Sequence, residues 1–175
     1  MSTIIVQEAA NLFCGDDDPT KSKHLTLGSI KLPSLSEKMS DHHAGGAMVA
    51  IEVALGVDKL DCTFNLKGHD PDLLVQFGLG GKPRLRYTAR GLLRDKRTMR
   101  AIESKAIIEG RLTKIEVGEF SRGDLLGHDY SIQEVMHYEL YYDGVEKVFW
   151  DFFTSEWRIN GISQNSDELR ILGIT

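Results

Sequence analysis

Gly78-Leu79-Gly80-Gly81-Lys82-Pro83 is the first stretch that could do chemistry, because a glycine-rich turn ending in lysine offers backbone N–H groups and a cation to a phosphate. The spacing excludes it: a phosphate loop needs Gly where Gln76 stands and Ser or Thr where Pro83 stands. Asp16, Asp17 and Asp18 gather carboxylates as a calcium loop would. Counted from Asp16, however, the turn position is Lys21 instead of Gly and the twelfth is Leu27 instead of Glu, so the run reads as a solvated turn before Pro19. His42 and His43 are adjacent, and adjacent side chains on a strand point to opposite faces, so the pair is a poor metal site. His137 falls on the polar side of its strand and His128 in a loop. There is no Gly-x-Ser-x-Gly, no His-Glu-x-x-His and no obvious pairing of a nucleophile with a base, so the reading is of a protein that is not an enzyme and needs no cofactor or metal. Arg122-Gly123-Asp124 spells an adhesion tripeptide, but three residues recur by chance.

Charge offers one more candidate. Lys82, Arg84, Arg86, Arg90, Arg94, Lys96, Arg97 and Arg100 stand against one acid, Asp95, a net of +7 that leaves −12 on the rest of a chain whose formal charge is −5. Clustered Arg and Lys neutralise phosphates, which makes this strip the best case for nucleic-acid binding. Only Tyr87 interleaves as a stacking platform, and the flanking chain is acidic. The strip is expected instead to be solvated, or to meet acidic surfaces on neighbouring copies.

The elements that position these residues are mostly strands. Leu60, Cys62, Phe64 and Leu66 alternate with Asp61, Thr63, Asn65 and Lys67, the period-two signature of a strand with one buried and one wet face. Val49, Ile51, Val53 and Leu55 repeat it upstream, with Gly56-Val57-Asp58 between as a hairpin or a bulge. Leu85, Tyr87 and Ala89 alternate with arginines, Ala106 to Val117 is β-rich, and Ile132, Met136, Tyr138, Leu140 and Tyr142 share one face of a long strand that Asp143-Gly144 turns into Val145–Phe153. One short helix is expected at about 70–78, where Asp70 can cap, Pro71 suits the first position and Gly78 can close the end. Long glycine-rich loops at about 42–48 and 118–128 exceed what a hairpin needs, so each is expected to reach a partner.

The chain has 175 residues, 41% of them hydrophobic and 27% charged, which suits one domain spanning 1–175 with an antiparallel, mainly β barrel or sandwich architecture. Cys14 and Cys62 show no metal or disulfide pattern and read as free thiols, Cys62 in the core. The first residues lack a basic segment followed by a long apolar one, and no stretch reaches transmembrane length. The expectation is a chain made and kept in the cytosol, or exported by a route that needs no signal.

In order along most of its length the chain resembles the major tail tube proteins of contractile-tailed phages and the similar tubes of R-type pyocins. The resemblance rests on Leu32-Pro33-Ser34-Leu35, the turn Ala44-Gly45-Gly46-Ala47-Met48, the strand pair ending at Gly68, and the helix ending Phe77-Gly78-Leu79. It continues through Gly110, Gly118-Glu119-Phe120, Tyr138 to Gly144, Arg158-Ile159-Asn160-Gly161-Ile162 and Leu172-Gly173-Ile174. Each motif is short; their shared order carries the likeness.

The resemblance implies a tube-type subunit that forms hexameric rings with a shared β-barrel lumen, stacked inside a contractile sheath. The implied partners are further copies of the chain, the sheath, tape measure, baseplate and tail terminator proteins, with DNA passing through the lumen without specific binding and no membrane insertion. The implied location is the virion tail, after synthesis in the host bacterial cytoplasm. On this reading His42, His43, Gly45, Gly46, Met48, Phe120, Arg122 and Asp124 sit at subunit or ring contacts. Glu52, Asp61 and Glu139, polar alternates of long strands, are candidates for an acidic lumen that repels phosphates. The strip from Lys82 to Arg100 is expected to lie away from that lumen, where it would hold DNA. The nearest rival is a type VI secretion or other injection tube that moves protein. A monomeric β-barrel that binds a ligand in its interior is a rival of a different class.

Overall fold

Period-two alternation becomes a curled antiparallel sheet in the computed structural model, which describes residues 2–15 and 17–174. Asp16, the first of the acidic run, lies outside the described residues, as do Met1 and Thr175 at the limits of the expected domain. The strands are β1 (Ile5–Cys14), β2 (Leu27–Lys31), β3 (Glu37–His42), β4 (Ile51–Val57), β5 (Cys62–Lys67), β6 (Leu85–Asp95), β7 (Ala101–Glu116), β8 (Gly127–Tyr142), β9 (Val145–Asp151), β10 (Glu156–Ile159) and β11 (Ile162–Ser163). The helices are α1 (Pro71–Gln76) and α2 (Ser166–Leu172). A single turn of 3-10 helix, Pro19–Lys21, follows the acidic run and is capped by the Asp18 carboxylate.

Neighbouring strands run β1-β6-β7-β8-β5-β2, and the sheet curls until its ends approach. Phe13 bridges Ser22, and the Lys23 N–H donates to the Leu12 carbonyl at 2.8 Å. The inward alternates of this half-closed barrel are Leu12, Cys14, Cys62, Leu66, Tyr87, Ile108, Leu112, Ile132 and Tyr138, all 2% exposed or less. Leu73 of α1, fully buried, packs into the same core. Asp70 Oδ1 accepts the Leu73 N–H at 3.2 Å, and Lys82 Nζ donates to the carbonyls of Val75 (2.6 Å) and Phe77 (3.1 Å), so a lysine satisfies the open C-terminal end of the helix. Among the described residues these inward side chains pack together as one core inside the curl of the sheet.

β8 divides the architecture in two. Its first half pairs with β5, from Lys67↔Gly127 to Cys62↔Ile132, and its second with β9, from His137↔Asp151 to Tyr142↔Val145. The β7 register jumps at the division, from Glu109↔His137 to Arg111↔Gln133, so β8 carries extra residues there and Glu134 takes φ +52°. The bulge lies against Gly110, where a Cβ would come within 2.8 Å of Ile132 Cγ2 and 3.0 Å of the Gln133 carbonyl oxygen. It also shifts the phase of the strand: Val135 is buried in line with Ile132 and Tyr138, whereas Met136, expected on that face, is only partly covered. Beyond β8, the strands β9–β10–β11 form a wing that ends in α2, a second helix that the sequence pattern does not announce. Asp143 (φ +52°) and Gly144 (φ +76°) make the expected two-residue turn into it.

Other expectations change. β4 does not form a hairpin with β5: it pairs with β3 alone, in a two-stranded arm separate from the main sheet. Ile51, Val53 and Leu55 are therefore 58%, 41% and 62% exposed, although their alternation matches that of a half-buried strand. His128, expected in a loop, is buried inside β8 against the His69 ring.

Candidate functional site

The arm is built from residues 37–57. His42 pairs with Ile51, Asp41 with Glu52, Ser40 with Val53 and Met39 with Ala54. Directly paired residues share a face, so one face carries Ile51, Val53 and Leu55 flanked by Lys38 and His42, and the other carries Met39, Ala54, Asp41 and Glu52. Gly56, at φ +113°, takes up the register shift near the root. At the tip the His43 ring bonds the Ala47 carbonyl through Nε2 at 2.9 Å, and a Cβ on Gly45 or Gly46 would meet nothing within 4 Å. Met48 is 99% exposed. His42, His43, Gly45, Gly46 and Met48 thus crown one projecting element.

Phe120, Arg122 and Asp124 lie elsewhere, in the loop between β7 and β8, which the Leu126 carbonyl ties to the Gly68 N–H at 2.7 Å beside the start of α1. Exposed Phe120 shares this loop with exposed Val117 and Leu125.

A groove of about 680 Å³ opens where the arm root meets the wing. Leu60, Val135, Met136, Trp150, Phe152 and Trp157 give it an apolar lining, and Asp58, Asp61 and Glu168 stand among its polar residues. Both tryptophans of the chain line it. The β8 bulge shapes one wall, and Glu134 there is gripped by Arg84 and Arg111, which hold its carboxyl below the usual range. Sequence reading misses this groove, whose lining residues come from the arm root, the bulge and the wing. The paired tryptophans at 150 and 157 are the only local signal.

The outward face of β8 and β9 is polar. His137 bridges Asp151 (2.9 Å) and Glu139 (2.6 Å), and the Tyr141 hydroxyl donates to Glu139 at 2.6 Å. Burial raises the Glu139 carboxyl, but the hydrogen bonds from Tyr141 and His137 outweigh it and leave the group below its ordinary value. The same bond to Glu139 pushes the Tyr141 phenol up to about 12. Glu52, Asp61 and Glu139 therefore occupy three different surfaces: the arm, the groove and the outer sheet face.

The basic strip, expected to be solvated or to meet acids of neighbouring copies, pairs several of its cations with acids of its own chain. Arg84 pairs with Glu134 (2.8 Å), Arg90 with Glu103 (2.9 Å) and Asp17 (3.0 Å), Arg94 and Lys96 with Glu8 (2.7 and 2.5 Å), and Arg100 with Asp143. Antiparallel pairing of β6 with β1 and β7 brings Glu8 and Glu103 alongside, and pairing of β7 with β8 brings Glu134 near, placements that linear charge counting cannot see. Among the described residues no three His, Cys, Asp or Glu side chains converge as metal ligands, and no helix is long and apolar enough to cross a membrane.

Residues 20–173 match the sequence model of a family described as phage tail tube protein FII. The chain belongs to this family. It is 31% identical over 119 residues to the major tail tube protein of Serratia phage KSP20, a match covering 67% of each chain. In fold it resembles a chain of the cryo-EM sheath–tube complex of PVC, an extracellular contractile injection system, in the extended state. That match has a TM-score of 0.54 and 9% identity over 76% of this chain and 88% of the other. A chain of the PVC sheath/tube terminator matches with a TM-score of 0.50 and 10% identity, over 71% and 88%. The role of this tail tube protein is structural.

Proposed function

We propose that this tail tube protein polymerises as stacked hexameric rings into the inner tube of a contractile phage tail, which conducts DNA during ejection. The observation that carries the reading is uncovered surface. The chain exposes 11440 Å², whereas a compact monomer of 19.6 kDa exposes about 8,600 Å². The difference, roughly 2,900 Å², is on the scale that permanent interfaces bury. Every residue of β3 and β4 in the arm is exposed, and an isolated two-stranded ribbon is marginal in water.

The sheath, terminator, baseplate and tape measure proteins are the further partners, the first two in keeping with the complexes from which the fold neighbours come. The subunit works without catalysis or cofactor and is synthesised in the host bacterial cytoplasm before it joins the virion. The lumen is acidic, with Glu52, Asp61 and Glu139 as its candidates, and the Lys82–Arg100 strip faces away from it. The family match to a phage protein favours a DNA conduit over a tube that moves protein. Negative-stain microscopy of the purified chain tests this: rings or hollow tubes are expected, and a protein that stays monomeric at every concentration would refute it.

A further inference from the structure

Among the described residues the apolar face of the arm is exposed and the apolar groove is open at the surface. They lie on one chain but cannot satisfy each other, because the arm projects from the groove's own border: Val57 ends β4, and Val57 to Asp61 contribute to the lining. Neither can serve as the other's partner within one copy.

We propose that the Ile51/Val53/Leu55 face of the arm docks into the Trp150/Trp157 groove of a second copy of this chain. Three features select this occupant. The apolar stripe is flanked by cationic Lys38 and by His42, while the groove carries unpaired carboxylates at Asp58, Asp61 and Glu168 against one cation, Lys59, with Glu134 already held by arginines, so its net charge is negative and charge and apolar surface match together. The other face of the arm presents Asp41 and Glu52, which the same carboxylates repel, so only one face fits. Finally, arm and groove are different surfaces, so the contact is head-to-tail: each copy gives an arm and receives one, and the series closes into a ring or propagates. The inference rests on the tube reading and adds to it the pair of surfaces that meet.

Cysteine pairing tests it cleanly, because the native Cys14 and Cys62 are buried and do not compete. Tubes are assembled from Val53→Cys/Met136→Cys chains and treated with a short bifunctional thiol reagent, with each single variant alongside. A denaturing gel is expected to show a ladder at multiples of 19.6 kDa for the double variant only. In wild type, where both tryptophans line the groove, assembly is expected to shift their emission to the blue and shield them from acrylamide. Tubes with no ladder, a ladder equally strong in either single variant, or tryptophans as quenchable in tubes as in monomers would overturn the docking while the tube reading stands. Failure of wild type to assemble at all would overturn both.

Discussion

Replacing Ile51, Val53 and Leu55 together by threonine separates what the arm does for the subunit from what it does for the tube. The three side chains are 58%, 41% and 62% exposed, so docking has roughly half of each left to cover. Complete burial of such a side chain is worth roughly 2 kcal/mol, which makes about 1 kcal/mol for each and ~3 kcal/mol for the three. Each incoming subunit makes this contact once. Since about 1.4 kcal/mol is a factor of ten, the critical concentration for assembly should rise roughly 150-fold. Threonine is β-branched and keeps the strand propensity, so the arm itself should persist. The monomer should not notice, because β3 and β4 pair only with each other. Sedimentation across a concentration series gives the critical concentration, and thermal unfolding of the unassembled chain gives the control. A triple variant that pellets within threefold of wild type, or one whose monomer melts several degrees lower, would show that the arm's apolar face is not held in reserve for another copy.

Gly110→Ala should lower the melting temperature by about 2–10 °C, since its Cβ would meet a backbone oxygen and Ile132, a crowding worth roughly 1–3 kcal/mol in a chain of this length; an unchanged melt would mean that the bulge yields freely. Burial pushes the thiols of Cys14 and Cys62 up to about 12, so Ellman's reagent at mildly alkaline pH should react with neither until denaturant is added, and prompt reaction of the native chain would contradict the packed barrel. The Asp95 carboxyl is drawn down to about 2 by hydrogen bonds from Thr3, Arg97 and Thr98, so its contribution to stability is complete above about pH 4 and is lost as pH falls from there toward 2. Asp95→Asn should flatten that stretch of the melting-temperature profile, and an unaltered acid profile would remove Asp95 from the account.

Local signals made much of the fold legible. The Cys62–Lys67 alternation, the Asp70-Pro71 helix start and the Asp143-Gly144 turn each act over a few residues, and each appears where the pattern puts it. β4 was legible as a strand and misread as a core strand. Alternation reports only that one face is to be buried, and here none of the described residues of the chain covers it. The β8 bulge is not legible because it shows only in the pairing with β7, beside Gly110 more than twenty positions away, and the phase of Met136 and the groove depend on it. The partners of the basic strip were hidden for the same reason: Glu8, Glu103 and Glu134 reach it only through strand pairing.

Unpaired negative charge is concentrated in the arm and at its root. From Glu37 to Asp61 the chain has five carboxylates, Glu37, Asp41, Glu52, Asp58 and Asp61, against Lys38 and Lys59. None of the five meets a cation at ion-pair distance among the described residues. The sheet, by contrast, pairs Arg90, Arg94, Arg111 and Arg158 with acids. Asp41 and Glu52 even stand directly opposite each other, an arrangement that costs up to about 1 kcal/mol in water and far more if the pair were taken out of it. That face of the arm must stay wet in any assembly. If the apolar face docks, the arm turns its carboxylates away from the protein, as a channel wall that repels phosphate requires, and the docked arm covers Asp61. Of the three acidic candidates, Glu52 then belongs to the channel and Asp61 to the subunit contact. Asp61→Asn should therefore change the critical concentration for assembly, and Glu52→Gln should leave it unchanged.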